Sequence, residues 1–213
     1  AIGMLDINVK EIGVDSLSLS AHLFGGPMGV GALYVKKGTA IQKLIDGRTS
    51  EDAYRAGELD VPAVVAMGKA IEEVTENVEE RSKYLRSIRR YFLKKASEAI
   101  HNIELNGHAS QRLANHASLS FEGADGEAVA VLLDKEGIYV STSASAGRVS
   151  QKPSYVLLAM GKELEQAESS VRFSFSPTIT KEDIDDIVEK LRKIVKKVRS
   201  ISAIRIYKNK VEL

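Results

Sequence analysis

"SLSAHLFGGPMGVGALYV" (residues 18–35) sets two short runs of alternating polar and apolar residues around a glycine-rich corner, with one histidine at its mouth. The runs extend over 15–22 and 31–36 and read as half-buried strands. Gly25, Gly26, Pro27 and Gly29 between them supply a tight connection. In a strand, residues two apart share a face, so Ser20 and His22 are expected side by side, where a hydroxyl and an imidazole can both donate to phosphate oxygens. A histidine satisfied within the fold accounts for the same residues equally well. The glycines do not make a dinucleotide fingerprint, which requires a helix to follow. Here "ALYVKK" reads as a strand, and a plain turn is the simpler account of the loop.

The chain has 213 residues and is 44% hydrophobic, enough to bury a core and to form one large domain or two small ones. With 30 basic and 29 acidic residues its net charge is +1, so no bulk electrostatic pull toward nucleic acid or an anionic membrane is expected. No apolar run approaches the roughly 18 residues that would span a bilayer. A soluble, cytoplasmic protein is the expectation. There is no cysteine, which removes disulfides, thiolate metal sites and thiol catalysis from this chain. It opens "AIGMLDINVK", without an initiator methionine or a signal peptide. That opening reads as a processed chain or as one part of something longer.

After a looser stretch at 46–60 the period changes. Val64, Met67, Ile71, Val74, Val78, Leu85, Ile88 and Phe92 follow a seven-residue spacing, interrupted at Arg81. One long helix over 61–100, joining two domains, is preferred to a lone coiled coil because strands lie on both sides. From 103 the expected order is strand ("IELNG"), strand ("HASLSFEG"), helix ("GEAVAVLLDKEG"), strand ("IYVSTSAS"), helix ("SYVLLAMG"), strand ("VRFSFS") and helix. The last helix starts at a capping box, Thr180 with Asp183. It carries an apolar stripe of Ile184, Ile187, Val188, Leu191, Ile194, Val195 and Val198, and its basic residues gather toward the C-terminal end, favoured by the helix dipole. Those basic residues read as a solvated face.

The run "STSASAG" (141–147) is a loop of small hydroxyl residues; Ser143 and Ser145 stand in no recognisable relation to a histidine and a carboxylate, so no nucleophile is assigned. His22, His101, His108 and His116 lack metal-ligand spacing, and no metal is expected. Arg172 sits in the mainly apolar "SSVRFSFS". A guanidinium is expensive to bury unpaired, so Arg172 either reaches solvent, pairs with a carboxylate such as Glu58 or Glu122, or awaits an anion.

Together "VDSLSLSAHLFGGPMGVGALYV", "YRAGELDVPAVVAMGKA", "SLSFEGADGEAVAVLLDKEGIYVSTSASA", "KPSYVLLAMG" and "SSVRFSFS" resemble, in order and spacing and over nearly the whole chain, the C-terminal half of the cysteine desulfurases. These belong to the class V aminotransferase group of fold-type I enzymes, which use pyridoxal phosphate. The resemblance implies an α/β fold: residues 1–60 as a remainder of the large cofactor-binding domain, 61–100 as a connecting helix and 101–213 as the small C-terminal domain. By resemblance, Ser20 and His22 touch the cofactor's phosphate and Arg172 binds the substrate carboxylate.

The departures fall on the chemistry. The family's Ser-x-His-Lys, whose lysine forms the Schiff base with the cofactor, reads Ser20-Ala21-His22-Leu23. The persulfide-forming cysteine of the family's loop falls on Ala146. The Arg-x-Gly-Thr segment becomes Arg55-Ala56-Gly57-Glu58, whose carboxylate would repel phosphate. No catalytic residue is therefore assigned. The expectation is a cysteine desulfurase-related protein of sulfur mobilisation and iron–sulfur cluster assembly, present as a C-terminal piece or split subunit unable to desulfurate alone. The alternatives are a non-catalytic scaffold or regulatory partner in that assembly, and an aminotransferase-like enzyme completed by another chain. Whether this chain binds pyridoxal phosphate is left open. Expected partners are a second copy, a chain carrying the N-terminal half, or an iron–sulfur scaffold protein. For Arg172 the structural role is preferred, since a site without its cofactor anchor has little use for a substrate clamp.

Overall fold

A computed structural model of the protein describes residues 1–47, 49–51, 54–142 and 153–202. The fold is mixed α/β, and the chain divides into two units, Ala1–Ser82 and Lys83–Leu213.

In the first unit, α1 (Val9–Ile12) is a single turn, opened by the Asn8 side chain accepting from the Lys10 amide and closed by Gly13 in the left-handed region. The antiparallel strands β1 (Ser16–Ser20) and β2 (Gly31–Val35) follow, with Ser16 opposite Val35 and Ser20 opposite Gly31. The strand expected over 15–22 stops at Ser20, because Ala21–Phe24 wind into a 3₁₀ turn that Gly25 ends at φ 91°. Packing explains the turn. Ala21 and Phe24 are buried in a small core with Met67 and Ala70, flanked by Leu19, Val30 and Ile71. The corner also leaves no room for side chains: a Cβ on Gly26 would lie 2.8 Å from the Ala21 Cβ, and one on Gly31 2.6 Å from the Leu19 carbonyl oxygen. β3 (Thr49–Glu51) and β4 (Arg55–Ala56) form a second, smaller antiparallel pair.

α2 (Val61–Glu76) starts where the Asp60 carboxylate accepts from the Ala63 amide at 3.1 Å, with Pro62 in the first turn, where its missing N–H costs nothing. The helix expected over 61–100 is two helices, α2 and α3 (Val78–Ala99), separated at Asn77, whose φ of −134° leaves the helical region. Arg81 is not the interruption. Its guanidinium donates to the carbonyls of Val74 at 2.8 Å and Glu73 at 3.2 Å, satisfying acceptors that the end of α2 leaves free.

The second unit is built on a three-stranded antiparallel sheet with β6 (His116–Phe121) between β5 (Ile103–Leu105) and β7 (Ser170–Ser174). Leu119 pairs with Val171 and Ala117 with Phe173, so these residues and Phe121 share one face, and all are buried. Phe92 of α3 meets that face, its ring centroid 4.8 Å from Phe173 and 5.2 Å, edge-on, from Phe175. α4 (Gly126–Lys135) begins against the β7 backbone: a Cβ on Gly126 would lie 2.7 and 2.8 Å from the carbonyl oxygens of Glu168 and Ser170. α5 (Tyr155–Ala159) is capped by the Ser154 hydroxyl, and α6 (Leu164–Glu168), which the sequence pattern did not announce, leads into β7.

The capping box of Thr180 and Asp183 opens α7 (Lys181–Ile201), which buries Ile184, Val188, Leu191, Ile194, Val195 and Val198. Its basic end is not wholly a solvated face, since Arg199 donates to the carbonyls of Glu122 at 2.8 Å and Asn102 at 2.9 Å. The strand expected over "IYVSTSAS" is reduced, within the described residues, to a single bridge in which Ser141 and Arg172 exchange backbone hydrogen bonds. Among the described residues, no helix is long and apolar enough to cross a membrane.

Candidate functional site

The face of the β6–β7 sheet opposite the core carries polar residues, because strand side chains alternate. His116 stands opposite Ser174, Ser118 opposite Arg172, and Ser120 opposite Ser170. At the centre Asn106, which is buried, donates through Nδ2 to the hydroxyls of Ser120 at 3.0 Å, Ser170 at 3.2 Å and Ser118 at 3.2 Å. The Ser120 and Ser170 hydroxyls donate on to the Gln166 carbonyl at 2.9 and 2.7 Å. This network ties α6 to both strands and satisfies the polar groups that the sheet buries.

Above it opens a cleft of about 290 Å³, whose walls include Asn106, Arg112, His116, Leu157, Met160 and Arg172. None of its described lining residues is acidic. Arg172 is half-buried, and its Nη2 donates to the Ser141 hydroxyl at 3.1 Å. No described Asp or Glu of this unit forms an ion pair with it. The partner considered in this unit, Glu122, instead gives its backbone carbonyl to Arg199, while Glu58 belongs to the first unit. Arg112 donates from Nε to the His108 carbonyl at 2.6 Å and from Nη2 to the Asn106 carbonyl at 2.7 Å. Arg89, 3% exposed, donates to the carbonyls of Leu113 and Ala114 at 2.5 and 3.4 Å, so it fixes the segment between Arg112 and His116.

These charges act on one another. Burial first, then the guanidiniums of Arg112, Arg172 and Arg89, lower the pKa of His116 below the usual histidine value, so the imidazole stays neutral in the fold. Burial also lowers the pKa of Arg112, and lowers that of Arg89 beside its arginine neighbours.

The glycine-rich corner lies in the first unit. Ser20 ends β1, and His22 lies exposed on the 3₁₀ turn, so the shared strand face expected of this pair does not exist. Leu23, on the same turn, is 77% exposed. Glu58 is exposed, and Ala146 lies outside the described residues. Among the described residues, no group of His, Cys, Asp or Glu could hold a metal ion.

The order of these pieces along the chain is that of a known family. Residues 1–187 match the aminotransferase class-V family. The chain belongs to it. Over 201 residues the sequence is 41% identical to a cysteine desulfurase IscS of Dictyoglomus turgidum, covering 94% of this chain and 51% of that protein. A cysteine desulfurase IscS of Clostridium botulinum is 43% identical over 95% of this chain and 51% of its own length. A solved NifS-like protein of Rickettsia africae superposes with a TM-score of 0.82 at 29% identity, covering 92% of this chain and 51% of that one. The chain thus spans about half the length of the curated relatives it matches. These relatives support a cysteine desulfurase-related chain of the fold-type I class, whose family uses pyridoxal phosphate.

Sequence reasoning singled out Arg172 but passed over Arg112, Arg89 and Asn106. His116 was weighed only as a metal ligand. The available signal was "GHASQRLANH" (107–116), a polar stretch without strand or helix period that nonetheless carries an arginine and two histidines.

The lowered pKa of His116 has a thermodynamic sign. Below the unperturbed value of 6.5 the unfolded chain takes up a proton that the folded chain refuses, so stability present above that pH is lost as pH falls through the folded value. His116→Gln is expected to flatten this loss. Denaturant melts of both proteins at about pH 7 and about pH 5 measure it, and equal slopes would contradict the burial of a neutral ring.

Proposed function

We propose that this chain serves sulfur mobilisation as a cysteine desulfurase-related protein, with its second unit binding the carboxylate of a small amino acid and its own residues forming no covalent bond to the cofactor. The carrying observation is a contrast. Leu23, 77% exposed, occupies the position that the resemblance gives to the lysine, whereas Arg172 stands in a cleft whose described lining holds no carboxylate. Retaining a guanidinium there without its counter-charge is costly unless an anion visits.

The cofactor that the family implies fits this chain only in part. The Ser20 hydroxyl and the His22 imidazole are groups that suit a phosphate. Nothing at the corner suits the aldehyde, since Leu23 has no nitrogen. Lys36 and Lys37 follow the far end of β2, about 17 Å along a five-residue strand from the corner; Lys36 pairs there with Asp15 at 3.6 Å. No cofactor-dependent step is therefore assigned to this chain. Borohydride reduction in the presence of pyridoxal phosphate should label no lysine stoichiometrically. Specific labelling of Lys36 or Lys37, mapped by peptide mass, would overturn this part of the reading.

The carboxylate role is tested separately. Cysteine and alanine should raise the melting temperature of the wild type and leave that of Arg172→Ala unmoved. A variant that is simply less stable, with no ligand effect in either protein, would make Arg172 a strut held by Ser141.

The first unit favours association. β1 and β2 form a sheet of two strands only, so among the described residues both outer edges lack strand partners, and Leu23, Met28 and Leu33 are 77%, 85% and 56% exposed beside them. Open edges and exposed apolar side chains promote pairing with another chain. We take that chain to be a second copy or one carrying the missing half of the family fold. Sedimentation across micromolar concentrations should show a dimer or larger species, and a monodisperse monomer would refute it.

A further inference from the structure

We propose that the cleft of the second unit is a two-anion site, in which Arg112 receives a second negatively charged group while Arg172 holds the first. The ligand class is a small molecule with two carboxylate-like ends separated by a short carbon chain. The inference rests on reading Arg172 as a carboxylate binder.

The two guanidiniums line the same cleft of about 290 Å³, and among the described residues of their unit no carboxylate forms an ion pair with either. The ion pairs of the unit all lie elsewhere: Lys94–Glu98, Lys95–Asp185, Lys162–Glu104, Lys190–Asp186 and Lys193–Glu189. Arg112 is held in a defined plane, with Nε on the His108 carbonyl at 2.6 Å and Nη2 on the Asn106 carbonyl at 2.7 Å. Its remaining nitrogen, Nη1, is out of solvent and has no acceptor. Backbone carbonyls orient a guanidinium but do not cancel its charge, and a fork fixed at two arms is prepared to meet an oxygen anion.

Arg89 positions this arrangement. Its guanidinium, 3% exposed, holds the carbonyls of Leu113 and Ala114, the residues between Arg112 and His116. His116, kept neutral by burial and by the arginines, can donate an N–H to either anion without adding a third positive charge. Leu157 and Met160 in the same walls offer apolar surface to a short carbon chain. A single carboxylate would occupy Arg172 and leave Arg112 uncompensated, whereas a dianion meets both.

The test compares succinate with butyrate, which share a four-carbon chain and differ in one carboxylate, by calorimetric titration of the full chain. In the wild type succinate should bind about tenfold or more tightly than butyrate. Arg112→Met should bring that ratio to about one while leaving butyrate affinity unchanged, which a merely structural loss would not do. Should Arg112→Met fail to fold, the nitrogen resonances of the Arg112 side chain decide: succinate must shift them and butyrate must not. Equal affinities in the wild type, a ratio that survives Arg112→Met, or resonances that ignore succinate would each overturn the proposal. Arg172→Ala separates the two readings. If it abolishes butyrate binding while the wild-type ratio is one, the carboxylate clamp stands and the second subsite falls. If butyrate binding is indifferent to Arg172→Ala, the clamp itself falls, and the second subsite, which rests on it, falls with it.

Discussion

The register between β6 and β7 decides which side of the sheet His116, Ser118, Ser170 and Arg172 of the cleft occupy. Leu119 against Val171 and Ala117 against Phe173 face the helices, which places Ser118 against Arg172 on the other side. A slip of one residue would carry Arg172 into the core and Phe173 into the cleft. The ring of Phe92, with its centroid 4.8 Å from that of Phe173 and 5.2 Å from that of Phe175, opposes that slip through buried aromatic area. The aim of the arginine is therefore secured by hydrophobic contacts on the face it does not occupy.

The polar face needs its own means of remaining dry and ordered. Asn106 links three serine hydroxyls on two strands, and two of them pass hydrogen bonds to the Gln166 carbonyl. A half-satisfied network of this kind would destabilise the sheet, but a satisfied one fixes the strands against each other. The cationic groups sit above this floor, unopposed by any acidic residue of the described lining. Burial lowers the pKa of both His116 and Arg112, and the guanidiniums around His116 lower it further.

What the sequence made legible is what local pattern controls. The hairpin around the glycine corner, the capping box at Thr180 and the apolar stripe of α7 follow from alternation, spacing and cap chemistry, and the family is visible in the order of the motifs. The 3₁₀ turn at Ala21–Phe24 escaped because burial of Ala21 and Phe24 overrides the alternation that reads as strand. The break at Asn77 escaped because the seven-residue spacing runs through it, and Arg81, which seemed to interrupt the helix from its charge, caps the one before it. Arg112 and Arg89 were illegible for a different reason. Their roles depend on backbone carbonyls at 106, 108, 113 and 114, and acceptors of that kind leave no trace in residue identity.

The corner and the cleft differ in what holds them. At the corner, the path of the chain is set by Gly26 against Ala21, Gly31 against the Leu19 carbonyl, and the burial of Ala21 and Phe24. None of these contacts involves the side chain at position 23, which points largely into solvent. The form of the corner therefore does not depend on which side chain stands at position 23. In the cleft the functional groups carry structural hydrogen bonds themselves: Arg112 to two carbonyls, Arg89 to two more, and Arg172 to Ser141. Each of these bonds joins a cation of the cleft to the wall that presents it. The cations of the cleft therefore brace its walls as well as present charge, while Nη1 of Arg112 and Nε of Arg89, each buried and without an acceptor among the described residues, take no part in that bracing.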